Sequence, residues 1–199
     1  MSVPLVLASS SVSRRVMLEA AGVPFMVAVP NIDEDAIKSL LTGSGGDGYQ
    51  IADELAQAKA ISVSAHMHEA LVLGADQVLV CEGRFLNKAL TEAEARKSLL
   101  ALSGREHQLI SSAAIARGGV SLWRRTEVAT LRMRLFSWDF LDGYLAAEIP
   151  EILGSVGCYR IEGRGVQLFT EVKGDQFCIR GLPLMAVLAA LRDFGVLPV

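Results

Sequence analysis

The stretch LVLASSSVSRR, residues 5–15, decides how the chain begins to fold. Its first part belongs to a continuous apolar run, Val3–Ala8, which is typical of a strand buried on both faces. The serines that follow interrupt this run. Ser13–Ala21 then has apolar residues at helical spacing before Gly22, a residue typical of helix ends. The stretch therefore predicts a buried strand, a short hydroxyl-rich turn and a helix.

The same alternation of strands and helices continues along the chain. Apolar runs predict strands over 25–29, 71–74, 78–81, 108–116 and 120–135. Helical periodicity and capping residues predict helices over 50–64, 91–102, 137–147 and 184–194. Turns are predicted at 82–83, 118–119 and 173–175, and a flexible glycine-rich loop at 43–48. Because no repeat or linker interrupts this order, we expect a single α/β domain over residues 1–199 with a mixed sheet.

The composition excludes several classes of protein. Of the 199 residues, 51% are hydrophobic and the formal net charge is −3, which excludes a disordered acidic tail and argues against a general nucleic-acid binder. The N-terminus does not resemble a signal peptide, and no apolar run reaches the roughly 20 residues of a membrane span. Three widely spaced cysteines without a CxxC pair are typical of reduced thiols. We therefore expect a cytoplasmic protein that binds neither nucleic acid nor membrane.

The turn after the first strand is a candidate phosphate-binding site. Backbone N–H groups at the start of a helix favour anions, and the Ser9 and Ser11 hydroxyls add further donors. Arg14 and Arg15 follow at once, and a guanidinium group binds phosphate through paired hydrogen bonds. A serine N-cap beside two solvated arginines explains the same pattern equally well. No GxxxxGK[ST] motif occurs, so the chain has no P-loop.

Two acidic segments are candidate metal ligands. Asp33-Glu34-Asp35 follows the second predicted strand, and Asp76 follows the apolar run 71–75, so both are predicted to lie in loops. Carboxylates at strand ends suit Mg²⁺, which prefers oxygen ligands and substrate phosphates. A solvated loop is the simpler explanation for each segment, although Asp76 between two apolar runs needs a partner. A triad of Ser9, His107 and Asp76 lacks the G-x-S-x-G motif that would support it.

Together these segments resemble the Maf family over nearly the whole chain. They occur in the family's order: LASSSVSRR (7–15), DE (33–34), LAQAKA (55–60), GADQV (74–78), Lys88, LSGREH (102–107), EGRG (162–165) and GLPL (181–184). The resemblance implies an elongated mixed β-sheet flanked by helices and split by a central cleft, similar to the inosine triphosphate pyrophosphatases. It also implies a nucleoside triphosphate pyrophosphatase that uses Mg²⁺ or Mn²⁺ and releases a nucleoside monophosphate and diphosphate.

The family pattern implies a role for each matching position. Asp76 is implied to be the catalytic proton acceptor, and Glu34 to line the same cleft and share a metal ion with Asp76. Because an ordinary aspartate has a pKa of about 3.9 and is a poor base near neutral pH, metal binding without proton transfer remains an alternative role for Asp76. The positions implied to bind the phosphates are Ser9, Ser11, Arg14, Arg15, Lys59 and Lys88.

Three further positions concern the base. Gln77 and Glu162 resemble the branch of the family that acts on 7-methyl-GTP, which has tryptophan at the position of Ser13. The Gln77 amide can donate and accept, and Glu162 can accept two hydrogen bonds from a guanine-like edge. We therefore expect guanine-type substrates, with a smaller preference for the methylated base because Ser13 cannot stack on a cation. The resemblance also allows a homodimer. The alternative function is a nucleotide-binding regulator of septum formation with little turnover.

Overall fold

Across residues 3–199, the computed structural model contains seven strands and seven α-helices in mixed order. Two 3₁₀ segments, Glu151–Gly154 and Arg164–Leu168, precede the last strand. The elements in chain order are β1 (Leu5–Ala8), α1 (Val12–Ala20), β2 (Met26–Val27), α2 (Glu34–Gly43), α3 (Gly48–Ser64), β3 (Leu71–Cys81), β4 (Arg84–Leu86), α4 (Glu92–Leu102), β5 (Glu106–Arg117), β6 (Val120–Met133), α5 (Trp138–Glu148), β7 (Phe169–Lys173), α6 (Gln176–Ile179) and α7 (Leu184–Asp193).

All seven strands belong to one mixed sheet, which confirms the predicted fold class. The strand order is β2-β1-β3-β5-β6-β7, with β4 paired to β3. Strand β1 is parallel to β2 and β3, whereas the pairs β3–β4, β3–β5, β5–β6 and β6–β7 are antiparallel. Helices flank this sheet. No helix in the described residues is long and apolar enough to cross a membrane.

The sheet has an opening along one edge of β3. Residues 71–74 pair with β1 and residues 79–81 pair with β4, while β5 pairs along the other edge. Within the part of the chain that the structure describes, Ala75–Val78 therefore has no neighbouring strand on the β1 and β4 side. Asp76 and Gln77 are the two central residues of this opening.

Helix α3 packs directly on β3, and Gly74 makes the close approach possible. A Cβ atom on Gly74 would lie 2.2 Å from the carbonyl oxygen of Ala56 and 2.6 Å from the backbone nitrogen of Ala60. Because side chains alternate along a strand, Val72 packs with α3 whereas Leu73 packs with α1 and α7. Asp76 accordingly lies on the α3 face and Gln77 on the opposite face.

Several local predictions are confirmed. Ser137 caps α5, with its Oγ accepting a hydrogen bond from the Phe140 nitrogen. The β5–β6 hairpin turns at Gly118 and Gly119, which both have positive φ. All three cysteines are free thiols, as predicted.

Other local predictions are wrong. Segments 71–74 and 78–81 form one strand, because backbone pairing with β5 continues through Asp76. Segment 33–35 is not a loop, because Asp33 caps a helix, α2, that was not predicted from the sequence. Gly43 ends α2, Gly48 begins α3, and Asp47 forms a capping box with Gln50, so 43–48 is only a short connection between two helices. No residue of α2 is fully buried, and the helical spacing of Ile37, Leu40 and Leu41, two of which pack against the core, was not used to predict it.

Candidate active site

An open cleft of about 1540 Å³ lies beside the opening in the sheet edge. Its walls come from the β1–α1 loop, the middle of β3, α2, one face of α3, and the segments that follow β4, α5 and α6. The cationic side chains that line it are Arg14, Lys38, Lys59, Lys88, Arg160 and Arg180. A concave site with converging cations is suited to an anionic ligand.

The start of α1 forms one corner of the cleft. Ser11 is the N-cap of α1, and its Oγ accepts a hydrogen bond from the Arg14 nitrogen. The Ser9 Oγ accepts from the Ser11 nitrogen at 3.2 Å and from Arg14 Nη1 at 3.1 Å. Arg14 Nε donates to the Gly181 carbonyl at 2.8 Å. Burial lowers the pKa of Arg14, while Asp76 and Glu34 partly oppose this effect. The corner therefore holds a buried guanidinium beside the N–H groups of a helix start, as a phosphate requires.

Lys59 joins the two carboxylates proposed from the sequence. Its Nζ atom lies 2.6 Å from Asp76 Oδ1 and 3.0 Å from Glu34 Oε2. Lys59 and Asp76 are both buried, whereas the Glu34 side chain is 41% exposed. Partial burial acts to raise the pKa of Glu34, but the charge and hydrogen bond of Lys59, helped by Lys38 and Lys88, lower it overall. Glu34 is thus kept ionised at neutral pH.

The second oxygen of Asp76 is uncommitted. Asp76 Oδ2 is buried and has no hydrogen-bond partner among the described residues. A buried carboxylate oxygen without a partner is costly. Its position in a cleft makes it an acceptor for a ligand, a water molecule or a metal ion.

Lys88 completes the charged part of the cleft. It lies in the β4–α4 connection, where its backbone forms a β-bridge with Val156. Loss of hydration lowers the pKa of Lys88, and the charges of Arg14 and Lys59 lower it further, while Asp76 and Glu34 offset only part of this shift. The positive charge of Lys88 is therefore repelled by those of Arg14 and Lys59. An anion bound between these three side chains would relieve the repulsion.

The three positions predicted to read the base converge on one turn. Gln77 Nε2 lies 3.0 Å from each of three acceptors, which are Ser111 Oγ and the carbonyl oxygens of Cys178 and Ile179. The Ser13 Oγ donates to the Arg180 carbonyl at 3.0 Å. The Gln77 amide nitrogen is thereby fully used, so only Oε1 remains for a ligand. This corrects the expectation that Gln77 can both donate and accept.

Glu162 lies in the same part of the cleft. Its Oε1 is 3.7 Å from Arg180 Nε, which is an ion-pair distance but too long for a hydrogen bond. Gly181, which follows Arg180, has φ +97°. An L-residue rarely adopts this conformation, so the turn beside Glu162 and Gln77 requires glycine.

Arg15 is the one proposed site residue that the structure does not bring into the cleft. It lies on the outer face of α1, is exposed, and pairs with Glu19 at 3.6 Å.

His107 is structural, as a lone histidine usually is. Its Nε2 lies 2.7 Å from the Tyr159 hydroxyl, and burial lowers its pKa to about 4. It has no contact with Ser9 or Asp76, which excludes the triad.

Sequence reasoning missed Arg180, Arg160 and Lys38 as cleft residues. Lys38 follows Glu34 by one helical turn, so recognition of α2 would have placed it in the cleft. Arg180 immediately precedes the GLPL segment, but no pattern in the sequence shows that it faces Glu162.

The residues present fit an ion that prefers oxygen ligands, such as Mg²⁺ or Mn²⁺. The described residues contain no group of three or more His, Cys, Asp or Glu side chains that could hold a metal. Mg²⁺ commonly takes only one or two carboxylates and completes its shell with water and substrate phosphates. Asp76 Oδ2 and Glu34 are two such carboxylates on one wall of the cleft.

The fold and the cleft define a class: an α/β protein whose mixed sheet opens onto a cleft lined by cationic side chains. A sequence profile described as "Maf-like protein" matches residues 4–194. The chain belongs to the Maf-like protein family.

Individual relatives agree with this assignment. A nucleoside triphosphate pyrophosphatase of Granulibacter bethesdensis is 45% identical over 195 residues, covering 98% of this chain and 99% of that protein. A 7-methyl-GTP pyrophosphatase of Mesorhizobium japonicum is 42% identical over 197 residues, covering 99% of both. Among solved structures, a HAM1 protein from Coxiella burnetii is similar at 21% identity and a TM-score of 0.45, covering 66% of this chain and 73% of that one.

Proposed function

We propose that this protein is a nucleoside triphosphate pyrophosphatase, which hydrolyses its substrate to a nucleoside monophosphate and diphosphate. The names of relatives that match nearly end to end support this activity. The observation that carries the proposal is the free Oδ2 of the buried Asp76, in a cleft that also contains Arg14, Lys59 and Lys88.

The triphosphate binds between the start of α1 and Lys88. Ser9, Ser11 and the backbone at the start of α1 offer hydrogen-bond donors, and Arg14 offers a guanidinium held in place by Gly181. Lys88 faces this corner from another segment of chain. Three negatively charged phosphates between these groups replace the repulsion among the cations with attraction.

In the reaction, a water oxygen forms a bond with the α-phosphorus. The bond between that phosphorus and the oxygen bridging to the β-phosphorus breaks, and the electron pair leaves with diphosphate. Asp76 Oδ2 accepts the proton of the attacking water, while Lys59 holds Oδ1 and so fixes the direction of the carboxylate. Arg14 and Lys88 offset the charge that develops on the leaving diphosphate.

Glu34 and Asp76 Oδ2 would hold a Mg²⁺ or Mn²⁺ ion together with phosphate oxygens of the substrate. Metal binding by Asp76 Oδ2 is the alternative to proton acceptance there, because a bound divalent ion lowers the basicity of the oxygen it contacts. When bound, such an ion neutralises phosphate charge and acidifies a bound water.

A guanine-type base fits the end of the cleft that Gln77 and Glu162 line. Gln77 offers Oε1 and Glu162 offers a carboxylate, so this end presents hydrogen-bond acceptors. The N1–H and amino groups of guanine are donors that match them, whereas a base without two adjacent donors leaves an acceptor unpaired. The relatives named 7-methyl-GTP pyrophosphatase are consistent with such a base.

The test is product analysis with a panel of nucleotides. Purified protein is incubated with GTP, 7-methyl-GTP, UTP and dTTP, with Mg²⁺, with Mn²⁺ or with EDTA, and diphosphate and orthophosphate are measured separately. We expect diphosphate and monophosphate in equal amounts, abolished by EDTA. Release of orthophosphate alone would contradict the proposed reaction. Tight nucleotide binding without any product would instead support the regulator of septum formation.

A further inference from the structure

The backbone of the turn Cys178–Gly181 contacts both the phosphate corner and the base-facing glutamine. The Cys178 carbonyl accepts from Ser111 Oγ at 2.8 Å and from Gln77 Nε2 at 3.0 Å. The Ile179 carbonyl also accepts from Gln77 Nε2. The Arg180 carbonyl accepts from Ser13 Oγ, and the Gly181 carbonyl accepts from Arg14 Nε. Four consecutive carbonyl groups therefore fix the positions of the phosphate corner and of the base-facing glutamine relative to each other.

The side chain of Arg180 leaves this turn toward Glu162. Its side chain is only 21% exposed, and its Nε is buried and without a hydrogen-bond partner among the described residues. Glu162 is 43% exposed, and Arg180 is the one cation within ion-pair distance of it in residues 3–199. The pair is therefore asymmetric, because the arginine is largely buried whereas the more exposed carboxylate has no other cation within ion-pair distance in residues 3–199.

We infer that Arg180 is a positioning residue that orients the Glu162 carboxylate for recognition of a base with adjacent N–H donors. The inference rests on the proposed function, and deepens it by assigning a residue that acts on base choice through Glu162. A carboxylate in a cleft that also binds three phosphates needs a nearby cation, since otherwise it repels the substrate. Arg180 supplies that cation at 3.7 Å from Glu162.

The experiment is a double-mutant cycle between Arg180 and Glu162. The variants are Arg180→Met, Glu162→Gln and the combination, with kcat and KM measured for GTP and UTP. We expect Arg180→Met to lower the ratio of kcat/KM for GTP over UTP by about tenfold, as for loss of a charged hydrogen-bonding partner. Most of the effect should lie in KM for GTP. In the Glu162→Gln background, Arg180→Met should change the ratio by less than about twofold.

Two further variants separate this role from a structural one. Arg180→Lys keeps a cation in the same place and should restore most of the GTP preference. Arg164→Met removes the same charge from an exposed arginine two residues from Glu162 and outside the cleft, and should leave the ratio unchanged. Thermal unfolding of each variant checks that the fold is retained.

Several results would overturn the inference. These are an equal loss of kcat/KM for GTP and UTP, additive effects of the two substitutions, and a wild type that does not discriminate between bases. For the wild type and the three variants of the cycle, the affinity for the α,β-methylene analogues of GTP and UTP is also measured. If the wild type hydrolyses nothing but binds these analogues with a base preference that depends on Arg180, the proposed activity fails while the role of Arg180 stands.

Discussion

The Nζ atom of Lys59 lies 2.6 Å from Oδ1 of Asp76, and both side chains are buried between α3 and β3. Lys59 belongs to the helix and Asp76 to the strand, so the packing of these two elements sets the distance. The contact leaves Asp76 Oδ2 as the free oxygen in the cleft. Four predictions concern this contact, the packing that creates it and the buried histidine at the other end of the core.

Asp76→Asn removes the charge and the proton-accepting oxygen while keeping the shape of the side chain. We expect turnover at saturating Mg²⁺ to fall by at least ~10²-fold, as for loss of a general base. The control is Asp53→Asn, which alters an aspartate that pairs with Arg124 outside the main cleft. If Asp76 only binds metal, the variant should instead recover much of its turnover at higher Mg²⁺. Near-normal turnover at all metal concentrations would contradict both roles.

Lys59→Met leaves the buried Asp76 carboxylate without its partner. Removing one member of a buried ion pair costs roughly 3 kcal/mol in the free energy of unfolding, which urea denaturation measures. Lys97→Met, at an exposed lysine on α4, is the control and should have little effect. Because the cost comes from the unpaired carboxylate, Lys59→Met should be much less harmful in the Asp76→Asn background. Equal costs in the two backgrounds would show that the ion pair is not the cause.

Gly74→Ala places a Cβ against the backbone of α3. Since that atom would lie 2.2 Å from the Ala56 carbonyl oxygen, helix and strand must move apart, and we expect a loss of about 2 kcal/mol in unfolding free energy. We expect the turnover of the folded protein to fall as well, because the movement separates Lys59 from Asp76. The comparison is Gly143→Ala in α5, where a Cβ meets nothing within 4 Å. That change should stabilise the protein by up to about 1 kcal/mol.

The fourth prediction concerns pH. His107 is 2% exposed, and burial lowers its pKa from 6.5 to about 4. The unfolded chain therefore binds one more proton than the folded chain between these two values. The stabilising contribution is complete above about pH 6.5, is lost as pH falls, and is gone below about pH 4, with a total on the order of 3 kcal/mol.

Urea denaturation between pH 4 and 7 tests this contribution. His107→Gln removes the titrating group and keeps an amide able to bond the Tyr159 hydroxyl, so the dependence of unfolding free energy on pH should become shallower. His66→Gln and His68→Gln, at exposed positions, should leave the slope as it is in the wild type. An unchanged slope in His107→Gln would mean that other groups govern the acid sensitivity.

Local features were predictable from the sequence because their causes are local. Ser137 was identified as a helix start, since a hydroxyl before a helical pattern caps the nearest free N–H groups. The strand, turn and helix of residues 5–20 follow from an apolar run, a serine cluster and a 3.6-residue period. Lys59 was correctly placed on a helix by the same periodicity.

The arrangement of the site depended on contacts between distant segments. Asp76 was predicted in a loop because a charge interrupts an apolar run, yet pairing with Ser112 on β5 keeps it in a strand and Lys59, 17 residues earlier, neutralises it. The assignment of the Gln77 amide and the role of Arg180 depend on backbone carbonyls more than 100 residues from Gln77. Every residue carries a carbonyl group, so no side-chain pattern marks those that act here. By itself, the sequence determined the elements and which residues have the chemistry to bind phosphate. Only the tertiary structure decided which of those residues meet and which of their atoms remain free, because buried polar groups take whichever partner the packing brings within reach.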